Sequence, residues 1–154
     1  MFKNLFSKSL PLKEPVFPGE KFSMFKLNLE EGWGLATINK AYDNYPNKAL
    51  FPWYAIINIH LQDQNENGHP TNSEAEVLNK MEESINDFLM KRRTVHFIGR
   101  VIRRGERDLL YYLDSRKFEQ KGTKTFFDSL NTIRPLNFEI HKDPMWTLVK
   151  SFIS

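Results

Sequence analysis

A chain of 154 residues fits one domain and can bury roughly 70% of its unfolded surface, enough for a real core. With 40% hydrophobic and 27% charged residues it has the make-up of a soluble globular protein, and a net charge of only +3 gives no ground by itself for a nucleic-acid partner. The absence of cysteine excludes disulfides and thiolate chemistry.

Phe2, Leu5 and Phe6 have helical spacing, but Asn4 and the run Ser7, Lys8, Ser9 prevent the apolar stretch of a signal sequence. No window approaches the roughly 20 apolar residues of a membrane span, so a cytoplasmic chain without a transmembrane segment is expected. Pro11, Pro15, Pro18, Gly19 and Gly32 predict an extended lead-in over residues 1–32, followed by a single domain over 33–154.

The first strand expected lies at 34–41, where Leu35, Thr37 and Asn39 alternate with Ala36, Ile38 and Lys40. Its pairing stays open: it adds at a sheet edge or pairs with "WYAIINIHL" at 53–61. That second run is apolar on both faces and reads as a central strand. A polar loop with Asn67-Gly68 and Pro70 follows. Ser73 and Glu76 have the spacing of a capping box, and Val77, Leu78, Met81, Ile85, Phe88 and Leu89 trace one apolar stripe of a helix closed by Lys91, Arg92 and Arg93. Glu82 and Glu83 are expected on its solvent side.

The stretch "TVHFIGRVIRRGERDLLYYL" at 94–113 predicts a hairpin turning at Gly105. Strict alternation sends Val95, Phe97, Gly99 and Val101 toward the helices and His96, Ile98, Arg100 and Ile102 to the opposite, uncovered face. A short helix with Phe126, Phe127 and Leu130 inward comes next. A strand showing Leu136, Phe138 and Ile140 on one face follows. Asp143-Pro144 then opens a last short helix carrying Met145, Trp146, Leu148, Val149 and Phe152. The expected fold is α+β: a ferredoxin-like βαββαβ antiparallel sheet with helices on one face, plus an extra N-terminal strand and a short C-terminal helix.

"GW" at 32–33, "FPWYAIINIHL", "SEAEVLNKMEESI", "FIGRVIRRGERDLLYYL" and "DPMW" at 143–146 together resemble the bacterial family called domain of unknown function 695. Gly99, Arg100, Gly105, Arg107 and Tyr112 fit its Gly-Arg, Gly, Arg and aromatic-strand pattern. The resemblance implies an α+β fold and carries no activity to transfer. Some relatives look fused to a domain similar to the protein inhibitor of ribonuclease E, which implies regulatory binding by analogy.

Residues 91–107 hold seven cations against Glu106 alone, in a chain that nets only +3. Such asymmetry favours an anionic partner, and arginine's planar fork suits bidentate recognition. The structural alternative is a capped helix end and a charged hairpin tip that discourages edge pairing. The candidate binding residues are His96, Arg100, Arg103, Arg104, Arg107 and Tyr112. The expectation is a non-enzymatic binding or regulatory module that meets an unidentified protein or anionic ligand through this hairpin and sheet face. A homodimer through that face is equally consistent. The alternative is a small enzyme or anion-binding protein with a pocket around Arg100, Arg107 and a strand histidine. RNA binding is a further alternative, because RNA-recognition modules share the element order; "ERDLLYYL" lacks their glycine–aromatic signature, so nucleic acid is not expected. His60, His69, His96 and His141 form no ligand pair, and no P-loop, GxGxxG or GxSxG occurs, so neither a metal nor a cofactor nor a catalytic residue is expected.

Overall fold

Residues 53–60 alternate so regularly, and with so few polar side chains, that both faces of the strand they form must be covered. In the computed structural model, which describes residues 11–154, this is β3 (Trp53–His60). Ala55, Ile57 and Ile59 enter one core; Tyr54 enters a second core on the opposite face, with Ile56 packed against it. The other elements are β1 (Phe22–Asn28), β2 (Trp33–Asn39), α1 (Asn72–Met90), β4 (Val95–Arg103), β5 (Glu106–Leu113), α2 (Gln120–Asn131), β6 (Leu136–Lys142) and α3 (Lys150–Ile153). Short 3-10 turns lie at Lys40–Tyr42, Lys48–Leu50 and Thr147–Val149.

Among the described residues the architecture is α+β, with one six-stranded sheet in the order β1-β2-β4-β5-β3-β6 and every neighbouring pair antiparallel. α1 and α2 cover one face through Leu78, Met81, Ile85, Leu89 and Leu130. The opposite face is covered around its middle by the β2–β3 connection and the C-terminal segment, which insert Tyr42, Tyr45, Phe51, Trp146, Val149 and Ile153. The strand at 34–41, whose partner was open, pairs with β4 on one side and β1 on the other. β1 lies within the segment expected to be a mere lead-in; its prolines stop at Pro18, and Phe22 to Asn28 are free to join the ladder as an edge strand.

α1 begins one residue before the expected capping box. Thr71 is the cap, its hydroxyl accepting from the Glu74 amide, and Glu74 is buried. Glu74 accepts both Arg134 donors and the Gln62 amide, so it ties α1 to the loop before it and to the chain leaving α2. Gly122, expected in a loop, lies in the first turn of α2, where its amide donates to the Glu119 cap. Asp143, expected as the cap of a helix starting at Pro144, lies further out: Pro144 and Met145 form a turn, Trp146 precedes the 3-10 turn at Thr147–Val149, and the Asp143 carboxylate reaches across to accept from the Thr147 and Leu148 amides.

The largest departure from simple alternation lies in β4. Phe97 stands opposite Tyr111 and Gly99 opposite Leu110, so Ile98 is an extra residue, a β-bulge. Beyond it the side-chain phase is reversed. Arg100 joins Phe97 on the helix face, and Ile98 and Val101 enter the opposite core. The hairpin turn places Arg104 and Gly105 at φ 53° and 75°, the two left-handed residues of a type I′ connection. That tip is fastened to the 62–70 loop: the Gly105 amide donates to the Gly68 carbonyl and the Leu61 amide to the Gly105 carbonyl.

Candidate functional site

The bulge decides where the arginines meet. Glu82 lies on α1 four residues after Leu78 and three before Ile85, on the margin of the apolar stripe, and faces β4. Arg100 Nε and Nη2 donate to its two oxygens at 2.7 and 2.5 Å, a bidentate pair. Arg107 on β5 donates from Nη1 to Asn79 Oδ1 at 2.9 Å and reaches Glu82 at 3.4 Å. Tyr111 donates to Asn86 one helical turn further on. Two guanidinium groups therefore share one carboxylate. The Arg107 side chain is only 4% exposed, and its Nε is buried with no hydrogen-bond acceptor among the described residues. Burial pushes the Arg107 guanidinium down, whereas hydrogen bonding to Glu82 raises that of Arg100. Arg100 keeps 29% of its side chain exposed, so the cluster opens to solvent along one side.

The expectation that Arg100 shares an uncovered face with His96 and Tyr112 is thus corrected: the bulge carries it to the helix side. Ile98 and Ile102, expected to be exposed, are buried, and Glu82, expected to be solvated, is the centre of the cluster. Asn79, Asn86 and Tyr111 were not singled out from the sequence, and Glu82 was given no part in a site. The signal was present, since residues 79, 82 and 86 recur at helical spacing beside the core stripe.

His96 and Tyr112 lie on the other face, fully buried, in an aromatic box. Tyr112 stacks on Trp146 at 4.0 Å between ring centroids and donates to Asp143 at 2.6 Å. Trp146 itself is held in the left-handed region at φ 57°, its indole N–H directed at the Lys48 and Phe51 carbonyls. His96 lies among Phe17, Phe51, Tyr42, Tyr45 and Trp146. The Tyr45 hydroxyl donates to the Val16 carbonyl at 2.5 Å, so it accepts from His96 Nε2–H at 3.3 Å. His96 Nδ1 is then free to accept the Tyr42 hydroxyl at 2.9 Å. This network assigns a neutral imidazole, and burial lowers its pKa from 6.5 to about 4.

A group whose pKa is depressed by folding contributes stability above its unfolded value and loses it as pH falls. Between pH 6.5 and about 4 the protein should therefore lose about 3 kcal/mol, at roughly 1.4 kcal/mol per pH unit. Urea titrations of wild type and His96→Gln across that range check this. The gap between the two should narrow with acid, and parallel curves would reject the assignment.

The remaining candidates separate further. Arg103 reaches Asp108 at 3.6 Å on the face opposite the helices, where the Asn58 amide donates to both Asp108 and Glu106. Burial raises the Asp108 carboxyl. Arg104 lines a polar cleft of about 650 Å³ with Glu31, Gln64 and Glu66. His60 and His141 stand on this same sheet face beside Glu106 and Glu139, and among the described residues no three such side chains are placed to hold a metal ion. The six candidates thus occupy four places: Arg100 and Arg107 meet at Glu82, His96 and Tyr112 share the aromatic box, and Arg103 and Arg104 each stand apart.

A family model described as "Family of unknown function (DUF695)" matches residues 20–154. The chain belongs to this family. The DUF695 match starts just before β1, so the edge strand at 22–28 lies within the family's extent together with the cluster and the aromatic box. No curated protein and no solved structure matches the chain. No helix among the described residues of this DUF695 protein is long and apolar enough to cross a membrane.

Proposed function

We propose that the protein is a non-enzymatic binding module whose recognition centre is the Arg100–Glu82–Arg107 cluster at the open margin of α1. The observation that carries this reading is the charge balance: two guanidinium groups face one carboxylate, at a place where Arg100 remains partly exposed. An incoming carboxylate would compensate the surplus charge and accept from arginine donors held in a fixed fork. Arg100 keeps an exposed side beside the ion pair at the open margin of α1, which favours a group presented by a protein partner over an enclosed small ligand. We read residues 53–142 as the ferredoxin-like unit, with β1 and β2 added at its β4 edge. The sub-order β4-β5-β3-β6 and the crossover helices α1 and α2 support that reading.

The test follows the arginine Nε–H signals by NMR during titration with sodium formate, against sodium chloride at equal ionic strength. A saturable, formate-specific response at Arg100 and Arg107, lost in Arg100→Gln, is expected. Equal responses to both salts, or shifts spread evenly over Arg103, Arg104 and Arg116, would remove the cluster from consideration.

A further inference from the structure

The helix layer is narrower than the sheet. Six strands spaced about 4.8 Å apart span roughly 24 Å, and helices pack about 10 Å from one another, so the face has room for a third helix beside α1 and α2. Among the described residues, the core beneath the helices takes side chains from β3, β4, β5 and β6 and none from β1 or β2. On their opposite face these same two strands are well covered, with Ala36 and Ile38 fully buried and Phe25 and Leu27 packed against them. Register places Met24 beside Thr37 and Thr37 beside Arg100, so one row of side chains runs from the open edge to the Glu82 cluster. Phe22 and Met24 in this strip remain 42% and 66% exposed, and Phe22 lies 6.4 Å from the Phe97 ring that Arg100 overlies.

We infer that this strip is the docking site of an amphipathic, acidic helix from a partner protein, which completes the helix layer as its third member. The inference rests on the binding role proposed for Arg100 and names the partner's chemistry. Seven-residue strands run about 24 Å, the length of some 16 helical residues. An apolar stripe would cover Phe22, Met24 and Leu35. Carboxylates on one flank would meet the partly exposed Arg100 and on the other the Lys26 ammonium. The same cations argue against a second copy of this chain, because a two-fold contact through the strip would set like charges together.

A displayed library of 16-residue helices with a fixed Leu/Ile stripe, its flanking positions sampling Glu, Gln and Lys, tests this on the full chain. Sequences rich in Glu should be enriched, and binding should fall about tenfold or more against Met24→Glu, whose exposed position leaves the melting temperature unchanged. Arg100→Gln should abolish the preference for Glu over Gln. Selection of basic or uncharged flanks, equal capture by Met24→Glu, or no enrichment would overturn the inference. So would concentration-dependent dimerisation of the wild type that Met24→Glu abolishes, since a second copy would then hold the strip. The formate titration separates the two levels: a response at Arg100 without helix binding removes the third helix and leaves the anion-binding centre, whereas silence in both removes both.

Discussion

Glu82→Ala is expected to destabilise the fold by about 3–5 kcal/mol in urea titrations at neutral pH, the range for stripping one partner from a buried ion pair. The reason lies with what is left behind. Arg100 can turn toward water, but the Arg107 side chain is 4% exposed and, among the described residues, would keep only Asn79 as its acceptor. Its Nε already lacks one. Glu82→Gln retains an acceptor without the charge and should fall between wild type and Glu82→Ala. Replacing Arg107 with Met in the Glu82→Ala background should recover part of the loss, because the stranded charge is gone. The neighbouring Glu83→Ala, on an exposed position of the same helix, should change stability by less than about 0.5 kcal/mol. Equal losses at 82 and 83 would show that the arginines do not depend on the carboxylate.

Gly99→Ala is the second large effect. A Cβ at residue 99 would come within 2.2 Å of the Thr37 carbonyl oxygen and 2.9 Å of the Ile38 Cα, both backbone atoms of the neighbouring strand. No rotamer change relieves such a clash; β2 or the bulge must move. A cost of roughly 3 kcal/mol or more is expected. Gly19→Ala, with nothing within 4 Å of the added carbon, should be neutral or slightly stabilising. Because the bulge sets the phase of Arg100, Gly99→Ala should also disturb the Arg100 Nε–H signal, even in the fraction that stays folded. An undisturbed signal with wild-type stability would mean that the close approach of β2 is not as drawn.

These two residues also mark where reading the sequence succeeded and failed. The period of α1, the doubly apolar β3 and the alternation of β6 are set by burial over whole elements, and each was legible. A single extra residue in β4 was not. Alternation assigns a face only while the count is unbroken, and the bulge at Ile98 moves every later side chain to the other side. Gly99 was the visible hint, since glycine inside a strand pattern marks close backbone approach. β1 escaped because the prolines just before it read as lead-in. Its helix-side positions Phe22, Met24 and Lys26 are exposed and include a charge, so no apolar run announces it. The aromatic box was legible only in part. Trp146 was expected among the apolar residues of the last helix, but His96 was placed on a bare face, because the residues that enclose it come from segments 17–51 and 146–153.

The pinning of the β4–β5 turn to the 62–70 loop bears on the molecule's motions. With the Gly105 amide and carbonyl both engaged outside the hairpin, and the side chain of Gln64 packed where a Cβ on Gly105 would project, the tip cannot fray independently. Hydrogen exchange at Leu61 and Gly105 should track opening of the whole sheet end, not of a loose ribbon. Arg104, for all its exposed charge, would then approach any visitor as part of a stiff rim and not as a swinging arm.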